Sequence, residues 1–281
     1  MSFKVKPLTA HFAARIDGID VVNDLDDAAF ERLRLAFEAH SVLVLPDQAM
    51  DDSQQISFSE RFGPLERTIS TNPAGGTPFA RQSNIDIKTG DTIATDDRRM
   101  LYQKANMLWH ADSSFKATQS LCSILSAREV PDEGGATEFA STRSVHEALP
   151  ESLQRELEGV EVEHDLVYSR RIVGFEFTEE EAAEMPPARH PLVQTNPVTG
   201  RKSLLIGAHA KCIVGWPEDR SRALLDDLMA RATRPENRYR HEWATNDIVI
   251  WDNRSALHRA TPFDTTKYRR LMQRTTISLM Q

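Results

Sequence analysis

The stretch LWHADSSF, residues 108–115, holds a histidine and an aspartate one residue apart, His110 and Asp112. In extended backbone, residues i and i+2 project to the same side. The two side chains therefore converge on one point, while Trp109 turns the other way into packing. An imidazole and a carboxylate so placed could ligate a metal ion. Alone the pair is weak evidence: with 9 His and 42 acidic residues in 281 positions, chance supplies about one such triplet. A third ligand must come from elsewhere. His40 reads as the end of a helix and His146 as lying inside one. His258 stands out because it follows an apolar run ending at Trp251 and a turn-forming Asp252-Asn253, which returns the chain towards the sheet interior.

The same segment is strongly basic. Arg254, Arg259, Lys267, Arg269, Arg270 and Arg274 lie there against only Asp264. A charged edge strand that discourages aggregation is one explanation. Strand periodicity offers another: Arg270, Met272, Arg274 and Thr276 share one face, while Leu271, Ile277 and Leu279 occupy the other as core. Two arginines on one face make an anion site with two stations, and the guanidinium fork suits carboxylates.

Two His and one carboxylate on one side of an octahedral ion are the donor set of non-haem Fe(II) oxygenases, with three positions left open. A bidentate 2-oxo acid can fill two of these and O2 the third. If that acid is 2-oxoglutarate, its far carboxylate needs a cation, which one arginine supplies. The second arginine then serves an anionic substrate. A zinc hydrolase also uses three ligands and an open position, and a non-catalytic anion-binding jelly roll needs no metal at all.

Four segments, LWHADSSF, GGATEFASTRSVHEALP, RKSLLIGAHA and WDNRSALHRATPFD…RRLMQRTTI, resemble the Fe(II)/2-oxoglutarate-dependent dioxygenases of the taurine dioxygenase group. The resemblance is greatest to their 2,4-dichlorophenoxyacetate (aryloxyalkanoate) branch and runs from about residue 40 to the C-terminus. It implies that His110, Asp112 and His258 ligate Fe(II). Thr137 and Arg270 would hold the 2-oxoglutarate co-substrate, with Trp251 lining its side. Arg274 would hold the sulfonate or carboxylate of the primary substrate, and Asn106 would line that pocket. The His258–Arg270 spacing is one residue longer than the family pattern. Aligning on distance would put Arg269 in place of Arg270, on the wrong strand face. The implied reaction hydroxylates an anionic small molecule, an aryloxyacetate first and taurine or an alkyl sulfonate as the alternative. With an aryloxyacetate it yields a phenol, glyoxylate, succinate and CO2. A homo-oligomer is implied as well.

Elements that could position these residues follow from the pattern. Residues 27–40 place Phe30, Leu33, Leu35 and Phe37 at near-helical spacing, and SVLVLP then reads as a strand. A second helix is expected at 52–61, capped by Ser53 or Asp52. Residues 69–104 are polar, broken by Gly and Pro and without sustained periodicity. A loop that long is usually functional or disordered, and here it is expected to be an active-site lid, with a plain surface excursion as the alternative. Residues 118–130 look extended. Two short helices follow in STRSVHEALPESLQRELEG, with Ser144 and Glu147 spaced as a capping box. Strands are then expected around the Asn-Pro…Thr-Gly turn, an amphipathic helix at 218–234, and strands in RYRHEWATNDIVIWDN and RRLMQRTTISL. Trp216 and Trp243 read as packing residues, and Asp252 and Asn253 as turn-formers. Many short strands with turn signals suggest a β-sandwich or jelly roll. The family resemblance sharpens this to one α+β domain over 1–281, a double-stranded β-helix core with flanking helices.

Composition excludes other classes. Hydrophobic content of 40% with 27% charged residues is ordinary for a globular protein. A net charge of −8 argues against nucleic acid and anionic membranes as partners. No apolar run reaches the roughly twenty residues of a membrane span. The N-terminus has no apolar signal region. Cys122 and Cys212 form no metal-type cluster and suit a reducing cytoplasm.

Overall fold

The computed structural model describes residues 3–23, 25–68, 76–86 and 89–280. Its largest sheet has seven strands in the order Lys4–Pro7, Ala14–Asp17, Val42–Leu45, Ile248–Asp252, Ser120–Glu129, Leu271–Ser278 and Phe79–Ser83. A three-stranded sheet, Arg238–His241, Thr137–Ser141 and Ala256–Ala260, supplies the opposite wall. Phe139, Ala256, Leu125, Val249, Trp251 and Met272 fill the interior between them. This is the α+β jelly roll with flanking helices.

The central strands are buried on both faces, so they are continuous apolar runs rather than alternating ones. Along Ile248–Asp252, Val249 and Trp251 enter the jelly-roll interior, while Ile248 and Ile250 face the helices outside. Val42 and Val44 against Leu43 and Leu45 repeat that division. The outer layer is the helix Asp27–His40, capped by Asp26, and the helix Asp52–Glu60. Phe30, Phe37 and Phe58 pack edge-on around Phe62. A third cluster joins the helices Thr142–Ala148 and Glu218–Ala232 to the smaller sheets and to Trp109 and Ala111.

Several expected details shift. Leu35 is solvent-exposed at 63%, and Ala36 takes its place on the buried stripe. The cap of the second helix is Asp51, whose capping box closes with Gln54. Ser141, not Ser144, caps Thr142–Ala148: its hydroxyl accepts from the Ser144 N–H. Residues 69–104 are not one loop. They include the sheet-edge strand Phe79–Ser83, paired to Leu271–Thr275, and the helix Arg98–Lys104; residues 69–75 and 87–88 lie outside the described residues. On the last strand Met272 is fully buried in the jelly-roll interior, and Leu271, on the opposite face, only partly. No helix among the described residues is long and apolar enough to cross a membrane.

Candidate active site

His110 and His258 meet through the backbone first. Each N–H donates to the other's carbonyl, at 3.1 and 2.9 Å, in an isolated antiparallel bridge. The bridge sets the two rings 4.2 Å apart between centroids. Asp112 completes the group. Its carboxylate oxygens lie 3.8 Å from His110 Nε2 and 3.6 Å from His258 Nε2, and one donor atom from each of the three residues falls within 4.8 Å of the others. All three side chains are buried.

Their protonation suits a cation. His110 Nδ1 lies 2.7 Å from the Leu108 carbonyl; the ring can only donate there, which leaves Nε2 as a lone pair facing Asp112. Neither ring nitrogen of His258 has a hydrogen-bond partner. Burial pushes both imidazoles below their ordinary pKa. Burial opposes ionisation of Asp112 too, but the Arg274 guanidinium, with the Ser123 hydroxyl bond, outweighs it, and the carboxyl is held well below its usual range. Two neutral imidazoles and one carboxylate, with a buried orphan nitrogen among them, fit a divalent metal ion.

Neighbours fix the carboxylate. Ser123 donates to Asp112 Oδ2 at 2.7 Å, and Arg274 Nη1 to Oδ1 at 2.5 Å. Asn253 does more than form a turn: its Oδ1 accepts from the Asp112 backbone N–H and from Trp251 Nε1, and its Nδ2 donates to Ser123. Asp252 is likewise more than a turn residue, since it is fully buried and neutralises Arg254. Gly207 lies against the first ligand. A Cβ there would sit 3.1 Å from His110 Cα, and its φ of +127° disfavours any side chain.

At the far end of the interior lies Arg270. It is 5% exposed, has no carboxylate partner among the described residues, and its guanidinium donates to the Gln82 and Gly135 carbonyls. Its Nε has no partner, and burial lowers its pKa to about 10. The GG of GGATEF now has a reason. A Cβ on Gly134 would collide with the Pro262 carbonyl at 2.7 Å, and one on Gly135 would press on Pro131 and Arg270. Arg269, the alternative, lies at the surface paired with Glu129. Thr137 is buried on the same strand face as Phe139 and accepts from Trp243 Nε1 at 3.0 Å. Trp243 is thus a hydrogen-bonding partner, beyond the packing role read from sequence.

One cavity reaches this centre and a second lies beside it. One, of about 70 Å³, is walled by His110, Asp112, Arg274, Asn106, His209 and Arg170, among others; a second, of about 480 Å³, is bounded by Arg270, Asn106, Thr261 and Phe263. Asn106 thus stands between the two. Trp251 lines neither: it is fully buried behind His258, 4.5 Å between ring centroids. His209 lies in the family-like segment RKSLLIGAHA, where residue type and spacing alone give it no role, and Arg170 lies outside all four segments.

Comparison with known proteins is decisive at this point. Residues 4–276 match the family model described as taurine catabolism dioxygenase TauD, TfdA family. The chain belongs to the TauD/TfdA dioxygenase family. Among its relatives is the alpha-ketoglutarate-dependent 2,4-dichlorophenoxyacetate dioxygenase of Cupriavidus pinatubonensis, 39% identical over 99% of this chain and 98% of the relative. The (S)-phenoxypropionate/alpha-ketoglutarate-dioxygenase of Sphingobium herbicidovorans is 39% identical over 95% and 92%. Among solved structures, that of AAD-2 in complex with Mn(II) and N-oxalylglycine superimposes with a TM-score of 0.91 at 36% identity, covering 100% of this chain and 98% of that one. TauD/TfdA enzymes use Fe(II), 2-oxoglutarate and O2, and the donor set described above fits that requirement.

Proposed function

We propose that this 2-oxoglutarate-dependent dioxygenase hydroxylates an anionic small molecule, an aryloxyacetate of the 2,4-dichlorophenoxyacetate type. The observation that carries the reading is the buried His110–Asp112–His258 group sharing one jelly-roll interior with Arg270, a buried guanidinium without a carboxylate partner. The relatives named above, which act on 2,4-dichlorophenoxyacetate and phenoxypropionate, support the substrate class.

In this reading His110, Asp112 and His258 hold the iron. Arg270 pairs with the far carboxylate of 2-oxoglutarate, and Thr137 donates its hydroxyl hydrogen to that acid. The Trp243 N–H already occupies an acceptor site of the Thr137 hydroxyl, which leaves its hydrogen to point at the ligand. Iron with 2-oxoglutarate and O2 supplies the oxidising power, with succinate and CO2 as products and one oxygen atom inserted into a substrate C–H bond. Arg274 and Asn106 face the primary substrate and orient the carbon to be hydroxylated. With an aryloxyacetate that carbon bears the ether oxygen. The resulting hemiacetal loses its C–O bond to the ring oxygen and gives a phenol and glyoxylate. The protein's part is placement and exclusion of water. Segment 69–104 is read as the cover: its described residues Pro78, Ala80 and Tyr102 already contribute to the smaller cavity. The free thiols of Cys122 and Cys212 support placement in a reducing compartment.

The test is anaerobic addition of Fe(II) and 2-oxoglutarate, followed by the visible charge-transfer band of the chelate. Oxygen is then admitted and succinate release is measured across aryloxyacetates and alkyl sulfonates. Chelate formation with succinate and phenol from aryloxyacetates is the expected result. A colourless sample with unconsumed 2-oxoglutarate overturns the enzyme class, and turnover confined to sulfonates overturns the substrate.

A further inference from the structure

Among the described residues four arginines are buried: Arg143, Arg170, Arg254 and Arg270. An unmatched buried charge is costly, so each should have an anion. Arg254 is matched by Asp252 and Glu38, and Arg143 lies 3.8 Å from Asp252 while donating to the Glu38 and Ala39 carbonyls. Arg270 and Arg170 have no acid among the described residues. Two buried guanidinium groups are left over, and the reaction has two anionic ligands.

Arg170 closes the short helix Leu166–Arg171 and is 7% exposed. Its guanidinium carbon sits over the Tyr102 ring, 4.4 Å from the centroid, and its Nε has no hydrogen-bond partner. It shares the 70 Å³ cavity with His110, Asp112 and Arg274. The other acid of that cavity, Glu66, is taken by Lys116 at 2.5 Å and Ser113 at 2.7 Å. Arg274, on the opposite side of the balance, is tied to Asp112. A cavity this small has room for one anionic group between the two arginines. Of the two, only Arg170 brings a charge that no acid among the described residues neutralises.

Building on the proposed function, we propose that Arg170 is the main receptor for the carboxylate or sulfonate of the primary substrate, with Arg274 beside it. Tyr102 holds the guanidinium plane by cation–π contact, so that its fork is preorganised towards an acid.

The test compares wild-type holoenzyme with Arg170→Met and Arg170→Lys. Succinate release is titrated against 2,4-dichlorophenoxyacetate and against an alkyl sulfonate. Without oxygen, the Fe(II)–2-oxoglutarate band reports co-substrate affinity and its perturbation reports binding of the acid and of its neutral amide. Arg170→Met should weaken the acid by about tenfold or more, the scale of a lost charge-assisted hydrogen bond. It should leave 2-oxoglutarate within about twofold and the amide nearly unaffected, and Arg170→Lys should recover part of the loss. Which acid loses more identifies the anion, carboxylate or sulfonate, that the site serves. If Arg170→Met is insoluble, Arg170→Gln, polar but uncharged over Tyr102, is expected to show the same split between acid and amide. Equal losses for acid and amide, or no loss with an active wild type, overturn this inference alone. A wild type that forms the chelate yet releases no succinate with any acid overturns the proposed substrate and this inference together.

Discussion

His110 and His258 are cross-strand partners that exchange both backbone hydrogen bonds, although they lie in distant parts of the chain. The consequence is that two of the three candidate iron ligands are positioned by main chain, which side-chain substitution does not disturb. Asp112 follows two residues later, where the chain enters a turn, and needs no further element to bring it in.

Because the bridge is main-chain, His258→Ala should fold and lose metal. The expected result is an unchanged far-ultraviolet spectrum, no Fe(II)–2-oxoglutarate band, and loss of the thermal stabilisation that metal gives the wild type. A variant that still forms the chelate would remove His258 from the coordination sphere.

Asn253 satisfies the Asp112 backbone N–H, the Trp251 indole and the Ser123 hydroxyl at once. Asn253→Ala leaves buried donors without acceptors, at a cost of about 1–3 kcal/mol for each group left unsatisfied. It should also loosen Asp112 and weaken metal affinity. Denaturant unfolding of the metal-free protein and metal titration check the two effects separately, and Asn253→Asp, which keeps the acceptor, should recover part of the stability.

What the sequence makes legible is local or periodic. His110 and Asp112 converge because a strand has a period of two, and the same period aligns Arg270 with Arg274. The continuous runs VLVL and IVIW mark strands buried on both faces. The missed contributors act across long separations. Trp243 reads as an apolar residue in EWATND until Thr137 is brought to its N–H from another strand. Arg170 is one basic residue in YSRR, and only burial without an acid distinguishes it. The strand Phe79–Ser83 was hidden for a related reason. Its composition, FARQS, has no alternating pattern, and its place in the sheet is set by pairing with Leu271–Thr275.

Trp243 should matter through Thr137. Trp243→Phe keeps the ring and removes the donor, so the Thr137 hydroxyl can turn its hydrogen away from the co-substrate. The expected effect is a several-fold rise in the KM for 2-oxoglutarate, on the order of one neutral hydrogen bond, with little change in the KM for the primary substrate. Equal changes in both would mean that the tryptophan acts by packing alone.

Gly207→Ala tests how tightly His110 is backed. The new Cβ would lie 3.1 Å from His110 Cα and 3.2 Å from the Trp109 carbonyl, at a φ of +127°. Backbone strain of about 1–3 kcal/mol is expected, together with displacement of the first ligand. Metal affinity should fall while 2-oxoglutarate retention through Arg270 is less affected. Calorimetry with Mn(II) in place of the oxidisable ferrous ion reads the metal term directly.

Acid should destabilise the metal-free protein earlier than its carboxylates alone would. Burial holds His110, His209 and His258 below the ordinary histidine pKa of 6.5, and lowers that of His164 to about 3. Unfolded, each would take up a proton near 6.5; folded, it cannot until much lower pH. The stability they allow is therefore complete above about pH 6.5 and is lost as pH falls below it, by up to about 1.4 kcal/mol per pH unit for each group. The depressed pKa of Asp112 adds its own loss only below the usual carboxylate range, near 3.8. Urea midpoints measured from about pH 7.5 down to about pH 5 should fall progressively below 6.5. His164 has no hydrogen-bond partner at either nitrogen, so His164→Leu removes one of these protons without breaking a bond. Its stability should depend less steeply on pH, by about one proton, and an unchanged slope would assign the acid sensitivity elsewhere.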